Sequence, residues 1–155
     1  MRNWIFLFFI FIGIIALINF CQKPTLEAQQ EAQDAVRAIN ISQIAFLYEE
    51  NRFGNSIEEL KISDKINTHN YDYSIIIDNK AAFNYAIPHS NNLKSYAGGV
   101  YFDPTNTNQS TEETSKPQIP TILCEANIAG KRKPELPIIE NGAIRCGKGT
   151  TQIGT

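Results

Sequence analysis

The chain has 155 residues, a formal net charge of −2 and 19% charged side chains. That length favours one domain plus a short extra segment. The charge excludes the basic footprint with which a small protein holds nucleic acid, so no nucleic-acid partner is expected. Asparagine, threonine, serine and glutamine crowd the second half, a composition suited to turns and exposed loops.

The run Trp4 to Leu17 reads WIFLFFIFIGIIAL, and extending it to Phe20 adds only Asn19 as a strongly polar residue. At about 1.5 Å per residue the run from 4 to 20 covers roughly 25 Å, the lower end of a bilayer crossing. Arg2 and the free amino terminus precede it and Lys23 follows it, a slight bias that favours a cytoplasmic N-terminus and an exported remainder. Three outcomes are open: an uncleaved signal anchor, a cleaved signal peptide, or a lipoprotein signal ending at Cys21. Ile18, Asn19 and Phe20 are large, so they make neither a small-residue cleavage site nor a good lipidation box. The anchor is the expected outcome, with the bilayer as partner through residues 4–20, and lipidation of Cys21 is its main rival. Unmodified, Cys21 is a small apolar residue at the end of the run. The chain therefore divides into an anchor over residues 1–23 and an exported domain over 24–155.

Pro24 to Phe53 reads as one long helix, because Ala28, Ala32, Ala35, Val36, Ile39, Phe46 and Leu47 recur mostly three or four apart. Pro24 suits a first helical turn, or marks a kink if the preceding helix runs through it. The first half is rich in small and polar residues and reads as a spacer. The second half, widened by Ile41, Ile44, Ala45 and Tyr48, reads as the spine of the core. Gly54 is placed to supply a left-handed stop. Ser56 and Glu59 then have capping-box spacing for a short helix, Ile57 to Leu60. Glu58 and Glu59, as neighbours on a helix, do not converge as a carboxylate pair.

Tyr71 to Asp78 alternates Tyr71, Tyr73, Ile75 and Ile77 against Asp72, Ser74, Ile76 and Asp78, a half-buried strand. Ala81 to Ile87 follows across an Asp78-Asn79-Lys80 turn as its antiparallel partner, ended by Pro88. Tyr96 to Phe102 is a third strand, with Gly98-Gly99 as a bulge or bend. Residues 103–120, DPTNTNQSTEETSKPQIP, form a long flexible excursion. Thr121 to Glu125 is a fourth strand. Ala126 to Pro134 is a loop tipped by Lys131, Arg132 and Lys133. Such a cluster is ordinarily a solvated tip, and its functional alternative is contact with an acidic polysaccharide or lipid headgroups. Pro137 to Cys146 holds a short hairpin around Asn141-Gly142, and residues 147–155 read as a frayed tail.

Cys124 and Cys146 fall in the exported part, where one bridge between them would add about 3 kcal/mol by closing the intervening loop. The alternative is two unrelated thiols. Zinc is not expected, since no C-x-x-C and no nearby histidine completes a ligand set. His69 and His89 lie among Asn and Ser in loops, and no catalytic or nucleotide-binding motif is present. No enzyme, no metal and no cofactor are expected.

The stretch EAQDAVRAINISQIAFLYEENRFGNSIEEL resembles the region after the membrane segment in type IV pilin-like proteins of the G/H group, which are abundant in cyanobacteria. The hairpin Tyr71 to Ile87, the strand GGVYF, and ILCE with a late RCG carry the likeness through most of the remaining chain. The resemblance implies an α+β pilin-like fold: a long N-terminal helix on a small antiparallel sheet of about four strands, with a C-terminal disulfide loop. It also implies a non-enzymatic, membrane-anchored component of a type IV pilus, a type II secretion-like system or the cell surface, such as a minor pilin or pseudopilin, with pilus or secretion subunits as partners. The N-terminus departs from the pattern. Filament-forming members carry a Gly-Phe peptidase site before the apolar helix and a glutamate within it that offsets a neighbour's amine. Neither is found around MRNWIFLFFIFIG. The alternative function is a lipidated or anchored extracytoplasmic module that binds polysaccharide or another surface ligand.

Overall fold

A single helix, α1 (Arg2–Glu50), runs from the apolar segment into the packed domain without a break. The computed structural model describes the backbone of residues 2–66, 69–103 and 119–154, and side chains from Thr25 onward. The side chains of the apolar run and of Cys21 lie outside the described residues, as does most of the excursion predicted over 103–120. Among the described residues no helix is long and apolar enough to cross a membrane. The helix runs through Pro24 rather than starting there.

The expected division of this helix is corrected. Ala28, Ala32, Ala35, Val36, Ile39 and Leu47 are all buried, so the stretch read as a spacer is already core. Ile41 (67% exposed) and Tyr48 (50%) face solvent instead of widening the apolar stripe. The cause is the alanines. Ala28, Ala32 and Ala35 look like a weak stripe by hydrophobicity, yet their small size lets the helix approach a flat sheet closely.

The helix ends at Asn51, whose N–H donates to the Leu47 carbonyl at 2.9 Å and whose φ of 54° supplies the left-handed stop expected of Gly54. Gly54 has another role: a Cβ there would stand 2.6 Å from Leu60 Cδ2. The short helix expected at Ile57 to Leu60 is a single turn. Ser56 Oγ accepts from the Glu59 N–H at 3.2 Å, but the Glu59 carboxylate reaches back to the Asn55 N–H, so the capping box is half formed. The chain then returns along the helix through a 3-10 turn (Ser63–Lys65), packing Leu60, Ile62 and Ile66 against Ala35 and Ile39.

The sheet has five antiparallel strands in the order β1-β2-β3-β4-β7: β1 (Tyr71–Asp78), β2 (Ala81–Pro88), β3 (Tyr96–Tyr101), β4 (Thr121–Ala126) and β7 (Thr150–Gln152). The fifth strand corrects the frayed tail. It is polar and only three residues long, and its existence depends on pairing Thr151 with Glu125 and on the Ile153 N–H to Leu123 carbonyl bond of 2.9 Å.

The register assigns two faces. Tyr71, Ala82, Ala86, Tyr96, Val100 and Leu123 meet α1, whereas Phe83, Tyr85, Ala97, Tyr101, Ile122 and Cys124 face the other way. A hairpin covers that second face: β5 (Ile138–Glu140) and β6 (Ala143–Arg145), joined by Asn141 (φ 53°) and Gly142 (φ 75°). Its Ile144, with Leu136, seats on Phe83, Tyr85 and Ile122. Gly98 and Gly99 are not a bulge, since β3 pairs regularly on both sides. A Cβ at Gly98 would lie 2.6 Å from Val36 Cγ1 of the helix, and one at Gly99 2.5 Å from Ile144 Cδ1 of the hairpin. The glycine pair lets the sheet be covered closely from both sides.

Candidate interaction surfaces

The strands lie lengthwise along the helix, which gives the domain two poles. Ala28, Ala32 and Val36 meet the start of β1, the end of β2 and the start of β3, so this pole adjoins the apolar run. Leu47 and Phe53 meet Ala82, Val100 and Phe102 at the far pole.

The far pole carries a groove of about 590 Å³. Leu47, Phe53, Ile77 and Phe102 line it with apolar surface, and Asn51, Asn55, Asp78 and Asn79 add polar edges. Two polar clamps, one buried and one exposed, hold the turn that forms its wall. Gln43 is 1% exposed; its amide donates to the Gly54 carbonyl at 2.8 Å and accepts from the Gly54 N–H at 2.9 Å, as a backbone strand would. Arg52 donates to Glu59 at 2.5 Å and to the Phe53 carbonyl at 3.1 Å, and lies over the Phe46 ring. The Arg52 hydrogen bond, then the Asn55 N–H, hold the Glu59 carboxyl below its ordinary range. The sequence signal for this cluster was a glutamine at a core position between Ile39 and Leu47. The groove itself, assembled from three distant segments, had none.

A second buried pair sits mid-sheet. Asn40 donates to the Ile122 carbonyl at 3.0 Å and accepts from Asn84 at 2.8 Å. The Asn84 Oδ1 has no hydrogen-bond partner among the described residues. Burial raises Tyr73, Tyr85 and Tyr96 each to about 12, and carries Tyr71 higher still.

The near pole holds the basic loop. Lys131, Arg132 and Lys133 are exposed, but Lys133 is not simply solvated: its ammonium lies 4.2 Å from the centre of the Tyr85 ring. Ser95 Oγ donates to the carbonyls of Gly130 (3.2 Å) and Arg132 (2.5 Å), which fixes the loop base. Nearby, His89 Nε2 meets Asp72 at 3.0 Å and its Nδ1 lies 3.1 Å from the His69 carbonyl. The Asp72 bond raises the His89 pKa. Among the described residues no three metal-ligating side chains converge.

Cys124 and Cys146 are joined in a disulfide with Cα atoms 5.7 Å apart, which ties β4 to the end of the covering hairpin. A long helix on an antiparallel sheet, closed by a C-terminal disulfide, is the arrangement expected of a pilin-like domain. The model of the type IV pilin-like G and H family matches residues 29–147. The chain belongs to that family. The match spans α1 from its first buried turns, the four long strands and both bridged cysteines. No curated protein and no solved structure matches the chain. A type IV pilin-like protein is a structural rather than a catalytic kind of protein, associated with pili or the space outside the cytoplasm.

Proposed function

We propose that this type IV pilin-like protein is a membrane-anchored structural or accessory subunit of a type IV pilus or type II secretion-like assembly. Residues 4–20 hold it in the bilayer and the domain stands outside the cytoplasm. The observation that supports this reading most is the continuity of α1: one helix carries the apolar run directly into the alanine-lined core, with no linker between them. Such a helix carries position from a membrane or filament to the domain, with Pro24 inside it as a point where a backbone hydrogen bond is lost. Intact mass spectrometry of the membrane-extracted protein tests it, together with alkaline carbonate extraction. An unprocessed N-terminus and retention in the membrane pellet are expected; a chain beginning at a diacylated Cys21 would replace the anchor with a lipid. Cross-linking in native membranes should recover pilus or secretion subunits.

The groove at the far pole favours a second reading, an anchored module that binds a surface polysaccharide. Its apolar floor and amide edges suit the C–H faces and hydroxyls of a sugar. A glycan array decides this: binding that is lost in Asn55→Ala or Asn79→Ala supports it, and a blank array removes it.

A further inference from the structure

We propose that the near pole of the domain is a docking surface for anionic lipid headgroups, with Lys131, Arg132 and Lys148 as the phosphate contacts. This rests on the anchor reading above. Thr25 stands five helical residues after Phe20, roughly 7 Å at about 1.5 Å per residue, and a headgroup layer is itself about 5–7 Å deep. Whatever sits level with Thr25 therefore lies at the outer border of the headgroups, within one Debye length of their charge.

The basic loop is held at that level by a short chain of contacts. Asn92 Nδ2 lies 3.5 Å from Thr25 Oγ1, and the Lys94 N–H donates to Gln29 at 3.0 Å. The Gly130 N–H donates to the Leu93 carbonyl at 2.9 Å, which draws the loop onto this pole, and the Asn127 N–H to Gly149 carbonyl bond of 3.0 Å brings Lys148 beside it. Lys131, Arg132 and Lys148 are exposed, and none of the three is ion-paired with a carboxylate among the described residues. Among the carboxylates around this pole, Glu125 is paired with Lys94 and Asp72 faces His89, while Glu27 and Glu31 are exposed on α1 and Glu135 is exposed beside Gly147; the lysine and arginine tips, not the net charge of the whole pole, are therefore what meets the phosphates. Lys133 is turned to Tyr85 and is not counted. Proximity to the bilayer selects lipid phosphate over a soluble acidic polysaccharide as the occupant.

The full chain is reconstituted in vesicles of phosphatidylcholine alone, or mixed with phosphatidylglycerol, and acylated with a membrane-impermeant lysine reagent. Labelling of Lys131 and Lys148 is read against Lys61 and Lys80 in the same molecules. With phosphatidylglycerol, Lys131 and Lys148 should label several-fold more slowly, since each basic residue near such a surface contributes about fivefold in binding. High salt should abolish the protection, and Arg132→Gln should weaken it at both lysines. Equal labelling in the two vesicle types overturns the proposal while leaving the anchor intact. Protection in neutral vesicles on adding polygalacturonate, with none from phosphatidylglycerol, also overturns it and assigns the patch to polysaccharide. Release of the chain by carbonate overturns the anchor reading and this proposal with it.

Discussion

Gln43 shows how much one side chain can decide. It occupies a core position of α1, where an apolar residue would pack as well, yet its amide serves both polar groups of Gly54 at the turn after the helix. Truncation leaves a buried N–H and a buried C=O without partners, each costing about 1–3 kcal/mol. Gln43→Ala is therefore expected to lose about 2–4 kcal/mol, read as a lowered urea midpoint in detergent. Asn84 makes the contrast. It gives one bond to Asn40 and keeps an oxygen with no partner, so its removal takes away a burden along with a bond. Asn84→Ala removes that oxygen but leaves the buried Asn40 Oδ1 without its donor, so it should cost about 1–2 kcal/mol, and a larger loss than for Gln43→Ala would show that the mid-sheet pair, not the turn clamp, is the stricter constraint.

Local pattern identified the elements that rest on local chemistry, and it missed those made by distant partners. The strand Tyr71–Asp78, its hairpin partner and the Asn141-Gly142 turn were all legible, because alternation and positive-φ residues write them into adjacent positions. The family resemblance was carried by the stretch around α1's end. Three features were not legible. β7 is a polar triplet that is a strand only because β4 presents an open edge. The burial of the helix from Ala28 onward follows from small size, which a hydrophobicity stripe undervalues. The Gly98-Gly99 pair looks like a bulge until α1 and the hairpin are seen on either side. The groove was hidden for the same reason, since packing brings its residues together, whereas Lys131 and Arg132 stood out as a basic loop tip and only Lys148 beside them was not legible. The glycine pair gives a coupled test. Gly98→Ala pushes a methyl into Val36 and into the Asn84 amide and should cost about 1–3 kcal/mol as overpacking. Trimming the opposing side chain with Val36→Ala should return part of that loss, so the double mutant is more stable than the sum of the singles predicts. Strict additivity would mean that the methyl is resisted by the Asn84 amide, or that the helix shifts away, and not that Val36 bears the clash.

Across the whole molecule the sheet is a shared wall between two covers that differ in how they are held. α1 is held by a long apolar seam interrupted mid-sheet by the Asn40–Asn84 pair, whereas the hairpin is short and is bound through Ile144, Leu136 and the bridge from Cys124 to Cys146. Cys146→Ser should then cost about 3 kcal/mol from loop closure, and hydrogen exchange should rise in β5 and β6 while the α1 face stays protected. The tyrosines bind both covers into one pH response. Tyr71, Tyr73 and Tyr96 lie under α1, and Tyr85 under the hairpin. Burial raises Tyr73, Tyr85 and Tyr96 to about 12, from 10.0 in an unfolded chain. A folded pKa above the unfolded one means that the native state holds its phenol protons more tightly. The associated stability is complete below pH 10.0 and drains away as the pH rises towards 12, because only the unfolded chain releases those protons freely. The urea midpoint should thus be insensitive to these groups at neutral pH and fall steeply across that alkaline window, with tyrosinate absorbance appearing together with loss of ellipticity. Replacing Tyr96 by Phe should make the fall shallower. In a Tyr48→Phe background, which removes the solvent-facing phenol, tyrosinate absorbance that develops before any unfolding would show that the aromatic layer is open to solvent, and that the two covers do not close on the sheet as described.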